Sequence, residues 1–182
     1  MDFTSFSHGQ IISKQWLIDS IEDYLFENIK ILILGGWYNV LGFMLLTKYY
    51  NKIGHITNID IDSNAIKIAD KLHDAYLFTN KVTNVLNDSS KVMDYEYDMV
   101  INCSPEHMTH DDWFTNIQDN KLVIIQSSDM IETGHPWYCV NPNPTFVDFI
   151  NHYRLKQTYY ADEIDFNYST YSYKRFMLIG RK

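Results

Sequence analysis

The hydrophobic and polar positions of the chain follow two alternating patterns. Short, continuous apolar runs such as residues 30–34 (KILIL) are typical of strands that are buried on both faces of a sheet. Between these runs, apolar residues recur every three or four positions, as in residues 13–28, which predicts amphipathic helices. Because strands that alternate with helices form parallel sheets covered on both faces, the sequence predicts an α/β, doubly wound fold.

The predicted elements account for nearly the whole chain. The predicted helices cover residues 13–28, 40–50, 63–73, 110–118 and 144–152. The predicted strands cover residues 30–34, 55–61, 81–86, 98–102, 121–126, 155–160 and 173–180. The last two strands have no helix between them, which predicts an antiparallel hairpin at one edge of a mostly parallel, seven-stranded sheet. We expect one domain over residues 1–182, with an N-terminal helical segment (1–28) before the core (29–182).

Composition and charge restrict the classes of partner. The 182 residues include 15 basic and 23 acidic side chains, a net charge of −8 that argues against a nucleic-acid partner. Two cysteines are too few for a disulfide framework. No stretch approaches the ~20 apolar residues that span a bilayer, and the first ten residues lack the charged start and apolar core of a signal peptide. We therefore expect a cytoplasmic protein with no membrane association.

Candidate binding residues follow the first two predicted strands. Gly35 and Gly36 come directly after strand 1, where glycines let the backbone approach a ligand and the next helix directs its N–H groups at an anion. Asp60 ends strand 2, and an acidic residue about 20 positions beyond such a turn typically binds ribose hydroxyls. Simpler interpretations are a tight turn at the glycines and an ordinary strand end at Asp60. Asp62 is an alternative partner for the start of the third helix, whose expected N-cap is Ser63.

A third group of polar residues follows the fourth strand, in residues 102–108 (NCSPEHM). In doubly wound sheets, ligands bind outside the carboxyl ends of the strands, at the point where the strand order reverses. We therefore expect all three groups to lie at the same edge. The simpler interpretation of this segment is a capped loop that leads into a helix.

The order of these elements and motifs resembles the class I S-adenosylmethionine-dependent methyltransferases over residues 28–180. The segments GGWYNVLG, NIDID, VINCSPEHM, IIQSSDM and RFMLIGRK are also similar to small methyltransferase-like proteins of bacteriophages. The chain departs from the family at Ile33, where an acidic residue is usual, and at Trp37 and Asn39, which replace later glycines. Asn39 can adopt the left-handed backbone conformation that such a glycine would have.

The resemblance implies a Rossmann-like site for S-adenosylmethionine. It implies that Gly35, Gly36 and Trp37 lie beside the methionine part of the cofactor, that Asp60 binds the ribose and that Ile61 flanks the adenine. It also implies that Asp88, with Asn84 and Asn87 as alternatives, meets the adenine amino group, and that Asn102, Ser104, Glu106 and His107 line the site of methyl transfer.

The chemistry of methyl transfer suggests roles for some of these side chains. Much of the catalysis comes from holding the acceptor in line with the methyl group. Histidine exchanges protons near neutral pH, so His107 is the expected base, with Glu106 and Asn102 as the other catalytic candidates. The ring of Trp37 or Tyr38 is expected to face the sulfonium cation. Metal-ligand types also cluster at Glu106, His107, His110, Asp111 and Asp112, but acidic residues are common at helix N-termini, and no metal is predicted.

The acceptor is not identified by the sequence. Residues 161–173 (ADEIDFNYSTYSY) and the loop that contains His135, Asn141 and Asn143 are expected to form an acceptor pocket or a lid. The tyrosines and acidic residues favour a small polar or cationic acceptor. The predicted function is methyl transfer from S-adenosylmethionine to a small molecule or protein. The alternatives are aminocarboxypropyl transfer, cofactor cleavage and non-catalytic nucleoside binding; a nicotinamide-dependent oxidoreductase is disfavoured because the third glycine is missing.

Overall fold

The computed structural model describes residues 3–75, 78, 80–130 and 139–182. Its strands, numbered along the chain, are β1 (Ile29–Leu34), β2 (Ile53–Asp60), β3 (Val82–Leu86), β4 (Met99–Asn102), β5 (Leu122–Ser128), β6 (Gln157–Asn167) and β7 (Ser172–Arg181). Its α-helices are α1 (His8–Ser20), α2 (Val40–Tyr49), α3 (Ser63–Ala75), α4 (Asp112–Thr115) and α5 (Phe146–His152). Across the described ranges, every helix is too short or too polar to span a lipid bilayer.

The strands described form one seven-stranded sheet in the order β3-β2-β1-β4-β5-β7-β6. The first five strands are parallel, whereas β7 is antiparallel to both of its neighbours, β5 and β6. The predicted doubly wound sheet with a C-terminal hairpin is therefore confirmed. The strand order reverses between β1 and β4, where Leu34 pairs with Asn102 at the carboxyl ends of the two strands.

The sheet is buried because helices cover both of its faces. Alternate residues of β1 point to opposite sides: Ile31 packs with Leu17 and Leu45 from α1 and α2, and Leu32 packs with Trp113 and Phe149 from α4 and α5. This two-sided burial explains why the strand sequence is a continuous apolar run rather than an alternating one.

The N-terminal helix is displaced from its predicted position. It was expected over residues 13–28, but α1 runs from His8 to Ser20 and is followed by a short 3₁₀ turn at Glu22–Tyr24. Leu25 is buried like Leu17, although it lies beyond the helix. On the side facing the sheet, the Nε2 of Gln126 donates to the main-chain oxygen of Ser13 at 2.9 Å, which fixes α1 above β5.

Two other boundaries differ for local reasons. The strand expected over residues 155–160 continues as β6 to Asn167, so most of the segment predicted as a pocket or lid is strand. A turn, in which the N–H of Tyr168 donates to the oxygen of Tyr171 at 2.9 Å, connects β6 to β7. Ser63 is the first residue of α3 rather than its cap, because Asp62 Oδ1 accepts the N–H of Asn64 at 2.8 Å.

Candidate functional site

A cavity of about 1090 Å³ lies at the carboxyl ends of β1 and β4, where the strand order reverses. One of its walls, the glycine half, follows β1, β2 and β3 and contains Gly35, Gly36, Trp37, Asp60, Ile61 and Asp88. The other wall, the tyrosine half, is formed by α1, the segment after β4 and the β6–β7 hairpin, and contains Lys14, Glu106, Tyr168, Tyr171, Tyr173 and Arg175. Pockets for single drug-sized ligands measure about 300–1,000 Å³, so this cavity has room for a cofactor and a second molecule.

Gly35 adopts a backbone conformation that favours glycine. Its φ is 61°, and its carbonyl oxygen accepts a hydrogen bond from Ser104 Oγ at 2.7 Å. A Cβ at Gly35 would lie 2.8 Å from the terminal methyl of Met108. The bond from Ser104 therefore joins the turn after β1 to the segment after β4 across the reversal of the sheet.

The packing beneath Gly36 leaves no room for a side chain at this position. A Cβ at this position would lie 2.1 Å from Oδ1 of Asn58, which is fully buried in β2. Asn39 has the predicted left-handed conformation, with a φ of 53°, and its Oδ1 accepts the N–H of Gly42 at 3.1 Å. The amide of Asn39 also donates to Asn84 Oδ1 at 3.1 Å, so a layer of asparagine side chains supports the turn from below.

Asp60, the last residue of β2, is held in a fixed orientation in the cavity wall. Its Oδ2 accepts the N–H of Trp37 at 2.8 Å, and its Oδ1 accepts the N–H of Asp62 at 2.9 Å. Each carboxylate oxygen keeps a second lone pair for a ligand hydroxyl. Burial raises the pKa of Asp60, and hydrogen bonds from the backbone N–H groups of Asp62, Trp37 and Ile61 oppose that shift.

The three candidates for the adenine contact lie in different surroundings. Asp88 and Asn87 line the cavity. Asp88 Oδ1 accepts both the N–H and the hydroxyl of Ser90, and this hydroxyl hydrogen bond lowers the pKa of Asp88. Asn84 lies within β3 and binds Asn39 and Asp70, away from the described cavity wall.

The three predicted catalytic residues, which lie at the end of β4 and in the segment after it, differ in their access to the cavity. Asn102 is fully buried and outside the described cavity wall, and its Oδ1 accepts the N–H of Ser104 at 3.0 Å. Glu106 is 1% exposed, and its Oε1 accepts Nη1 of Arg175 at 2.7 Å. His107 is exposed and lines the cavity. The structure therefore leaves His107 as the predicted catalytic residue with access to a ligand.

Lys14 and Arg175 are cavity residues that the sequence analysis missed. Lys14 lies on α1 at helical spacing from the buried Leu17, Ile18 and Ile21, so a lysine within an apolar stripe was the available signal. Arg175 precedes the buried apolar run of β7, where a buried charge requires a partner.

The tyrosines of the β6–β7 hairpin reach the cavity, but the neighbouring acidic residues do not. The rings of Tyr168, Tyr171 and Tyr173 stack with centroids 4.9–6.3 Å apart. Glu163 and Asp165 instead pair with Lys174. Alternation along the strands directs these charges away, so the expectation of an acidic rim is wrong.

Two of the residues considered as metal ligands, Glu106 and Asp111, have other partners. Asp111 accepts hydrogen bonds from Asn141 at 3.1 Å and from the hydroxyl of Tyr153 at 3.1 Å, and its Oδ2 lies 2.7 Å from Nε2 of His152. Within the described part of the chain, no group of three or more His, Cys, Asp or Glu side chains is arranged to hold a metal ion. His135, which was expected in the acceptor loop, lies outside the described residues.

Comparison with known proteins identifies the fold. No protein-family model and no curated protein matches the sequence. An S-adenosylmethionine-dependent methyltransferase from Aquifex aeolicus matches with a TM-score of 0.65 and 11% identity, over 91% of this chain and 88% of that chain. Geranyl diphosphate methyltransferase in complex with S-adenosylmethionine matches at 0.67 and 7%, over 92% and 83%. The [4+2]-cyclase SpnF matches at 0.71 and 13%, over 95% and 82%.

The strand order and the cavity at its reversal define a doubly wound protein with a ligand site at the carboxyl edge of the sheet. Within this class, the chain has the fold of the class I S-adenosylmethionine-dependent methyltransferases, as its sequence predicted. The narrower resemblance to bacteriophage proteins stays a prediction. Identities of 7–13% establish a fold, and function has to be argued from the site.

Proposed function

We propose that this protein is an S-adenosylmethionine-dependent methyltransferase that acts on a small-molecule or protein acceptor. The observation that carries the proposal is Asp60, which two backbone N–H groups hold in the cavity wall beside the glycine turn. Both carboxylate oxygens can still accept the hydroxyls of a ribose. The same fold in solved methyltransferases supports this interpretation.

The glycine half fits the parts of the cofactor. Gly35, Gly36 and Trp37 would face its methionine part, and Asp60 would bind its ribose. The side chain of Ile61 is 76% exposed and would flank the adenine. Because Oδ1 of Asp88 is occupied by Ser90, the adenine amino group would meet Oδ2, whose neighbour in the structure is Nζ of the exposed Lys91 at 3.7 Å.

The reaction needs little from the protein beyond position and proton transfer. When bound, the cofactor supplies an electrophilic methyl group on a sulfonium. The ring of Trp37, which stacks on Tyr38 at 4.6 Å, presents an aromatic face to that cation. His107 accepts the proton of the acceptor. Glu106 acts as a positioning residue through Arg175, and Ser104 and Asn102 shape the turn.

Titration calorimetry with S-adenosylhomocysteine and with NAD tests the cofactor. We expect S-adenosylhomocysteine to bind and NAD to bind far more weakly, since the chain lacks the third glycine of a pyrophosphate site. Asp60→Ala should weaken S-adenosylhomocysteine by about tenfold or more, because charge-assisted hydrogen bonds contribute about 1.5–3 kcal/mol. Asp74→Ala, an exposed carboxylate on α3, is the matched control and should bind normally. Intact affinity in Asp60→Ala would show that the ribose assignment is wrong.

Product analysis separates methyl transfer from other uses of the cofactor. The match to a [4+2]-cyclase indicates that this fold also occurs in proteins with other names and reactions. Incubation with S-adenosylmethionine and a mixture of small acceptors should release S-adenosylhomocysteine. Release of methylthioadenosine would indicate aminocarboxypropyl transfer or cleavage, and binding without turnover would indicate a non-catalytic nucleoside-binding protein.

A further inference from the structure

The charges of the cavity are distributed unequally between its two halves. The tyrosine half contains the cations Lys14 and Arg175 and the single carboxylate of Glu106, which leaves one positive charge in excess when Lys14 is protonated. The other acidic residues in the described cavity wall follow β2 and β3 in the glycine half: Asp60, Asp62 and Asp88. The tyrosine half is therefore the cationic end of the cavity.

Arg175 and Glu106 neutralise each other. Arg175 Nη1 donates to Glu106 Oε1 at 2.7 Å, and Nη2 donates to the main-chain oxygen of Cys103 at 2.9 Å. The two charged side chains are only 7% and 2% exposed. Glu106 therefore balances the charge of Arg175, and the cavity cation without a carboxylate partner among the described residues is Lys14.

Among the described residues, Lys14 forms hydrogen bonds only with the neutral Gln10, while the nearby charges of Glu106 and Arg175 act on it in opposite directions. Its Nζ lies 2.5 Å from Oε1 and 3.5 Å from the main-chain oxygen of Gln10, whereas an ammonium has three N–H groups to donate. Among the described residues, no carboxylate forms an ion pair with it at 4.0 Å or less. Burial lowers the pKa of Lys14 to about 8. A half-buried ammonium of this kind gains more than a fully exposed one from an anion that supplies the missing countercharge.

We propose that the tyrosine half binds the methyl acceptor by an anionic group, a carboxylate on a small molecule, which pairs with the ammonium of Lys14. The inference rests on the proposed methyl transfer and names the class of its acceptor. The stacked rings of Tyr168, Tyr171 and Tyr173 form the apolar surface for the rest of the molecule. Burial raises the pKa of Tyr173 to about 12, so its hydroxyl remains a hydrogen-bond donor at neutral pH. An anionic acceptor replaces the cationic one that the sequence suggested.

Three probes of one shape and different charge test the proposal. Benzoate is anionic, benzamide is neutral and benzylamine is cationic, and their dissociation constants can be measured by NMR titration with and without S-adenosylhomocysteine. We expect benzoate to bind about tenfold more tightly than the other two. Lys14→Met should abolish this preference and Lys14→Arg should retain it. Lys67→Met, an exposed lysine on α3 outside the described cavity wall, is the matched control and should leave it unchanged.

The pH dependence of benzoate binding gives a second test. Benzoate stays anionic, so its affinity should be full below about pH 8 and should fall as Lys14 loses its proton above that pH. Burial raises the pKa of Cys103 to about 11, so its thiol stays neutral over this range. Among the described residues, the other titratable or charged groups that face this half of the cavity are His8, Glu106, His107, His110, Cys139, Tyr168, Tyr171, Tyr173 and Arg175. The Lys14→Met variant shows whether Lys14 causes the decrease, because the benzoate affinity of this variant should not decrease above pH 8.

The outcomes separate this inference from the proposed function. Tightest binding of benzylamine, or a benzoate preference that survives in Lys14→Met, would overturn the anionic acceptor. Binding of S-adenosylhomocysteine without any preference for benzoate would overturn this inference alone. A benzoate preference without binding of S-adenosylhomocysteine would overturn the proposed methyl transfer and leave the anion site standing. If Lys14→Met fails to fold by circular dichroism, Lys14→Arg decides, because arginine stays charged and its benzoate affinity should not fall above pH 8.

Discussion

The two halves of the cavity are built in different ways. In the glycine half, the backbone N–H groups of Trp37 and Asp62 fix Asp60, and Gly36 packs directly on the buried amide of Asn58. In the tyrosine half, side chains from segments far apart in the sequence meet, and an arginine and a glutamate form the link between them. Arg175 comes from β7 and Glu106 from the segment after β4.

This difference separates a fixed wall from an adjustable one. Backbone hydrogen bonds and close contacts beneath a turn permit little movement, which suits a ligand of constant structure. Apart from the Arg175–Glu106 pair, the long side chains on the hairpin and the helix can be replaced without changing the sheet, which suits a ligand that differs between proteins of the same fold. Three substitutions test this difference.

The largest effect is expected where the tyrosine half depends on a buried charge. Arg175→Met leaves the carboxylate of Glu106 buried without its partner, which should lower the free energy of unfolding by about 3–5 kcal/mol. Urea denaturation followed by circular dichroism measures this loss. Arg175→Met combined with Glu106→Gln should recover much of it. Lys174 is the adjacent residue, and its partners are at least partly exposed, so Lys174→Met should lower the free energy of unfolding only slightly. An equal loss in Lys174→Met would show that burial does not explain the cost of Arg175→Met.

A smaller effect is expected in the glycine half. Gly36 has a backbone conformation open to alanine, so the cost of Gly36→Ala comes from the contact with Asn58. Forcing a methyl group into a well-packed site costs about 1–3 kcal/mol. The same denaturation experiment and a titration with S-adenosylhomocysteine should both show a loss. Wild-type values would mean that the asparagine layer yields and that this wall is not fixed.

The smallest effect is expected at Gly9 on α1. A Cβ there would lie 2.3 Å from the hydroxyl of Tyr173 and 2.9 Å from that of Tyr168, which are the ends of movable side chains. Alanine also favours the helix by about 1 kcal/mol, so the free energy of unfolding of Gly9→Ala should change by less than about 1 kcal/mol. The near-UV circular dichroism of the tyrosines should nevertheless change. A loss as large as that of Gly36→Ala would show that both walls are equally rigid.

The sequence predicted the parts of the fold whose patterns come from burial. The apolar run of β1 requires cover on both faces, and this alone indicates a central strand. In contrast, β6 is an edge strand whose residues are mostly exposed, so residues 161–167 alternate only over the short stretch of Ile164 and Phe166 and otherwise resemble a loop. The start of α1 was missed because its first turn contains Gly9 and few apolar residues.

The site residues, like the strands and helices, could be predicted only where a local pattern in the sequence indicates them. Asp60 and Gly35 were found because strand ends of a parallel sheet meet at one edge, and the sequence shows where strands end. Lys14 and Arg175 were not found, because their proximity depends on how α1 lies against a hairpin at the other end of the chain. No local pattern records such a contact, although a lysine within an apolar stripe indicates that something polar lies opposite.

The exposed edge of the sheet has a consequence for the behaviour of the protein in concentrated solution. A long edge strand offers unpaired backbone groups to any other strand, and β6 has 11 residues. Asp162, Glu163 and Asp165 place three carboxylates along this strand. If two copies met edge to edge, these like charges would be brought together and would repel each other, most strongly at low ionic strength. Lys174 offsets part of this charge, and the net negative charge that is left on the strand would oppose edge-to-edge pairing.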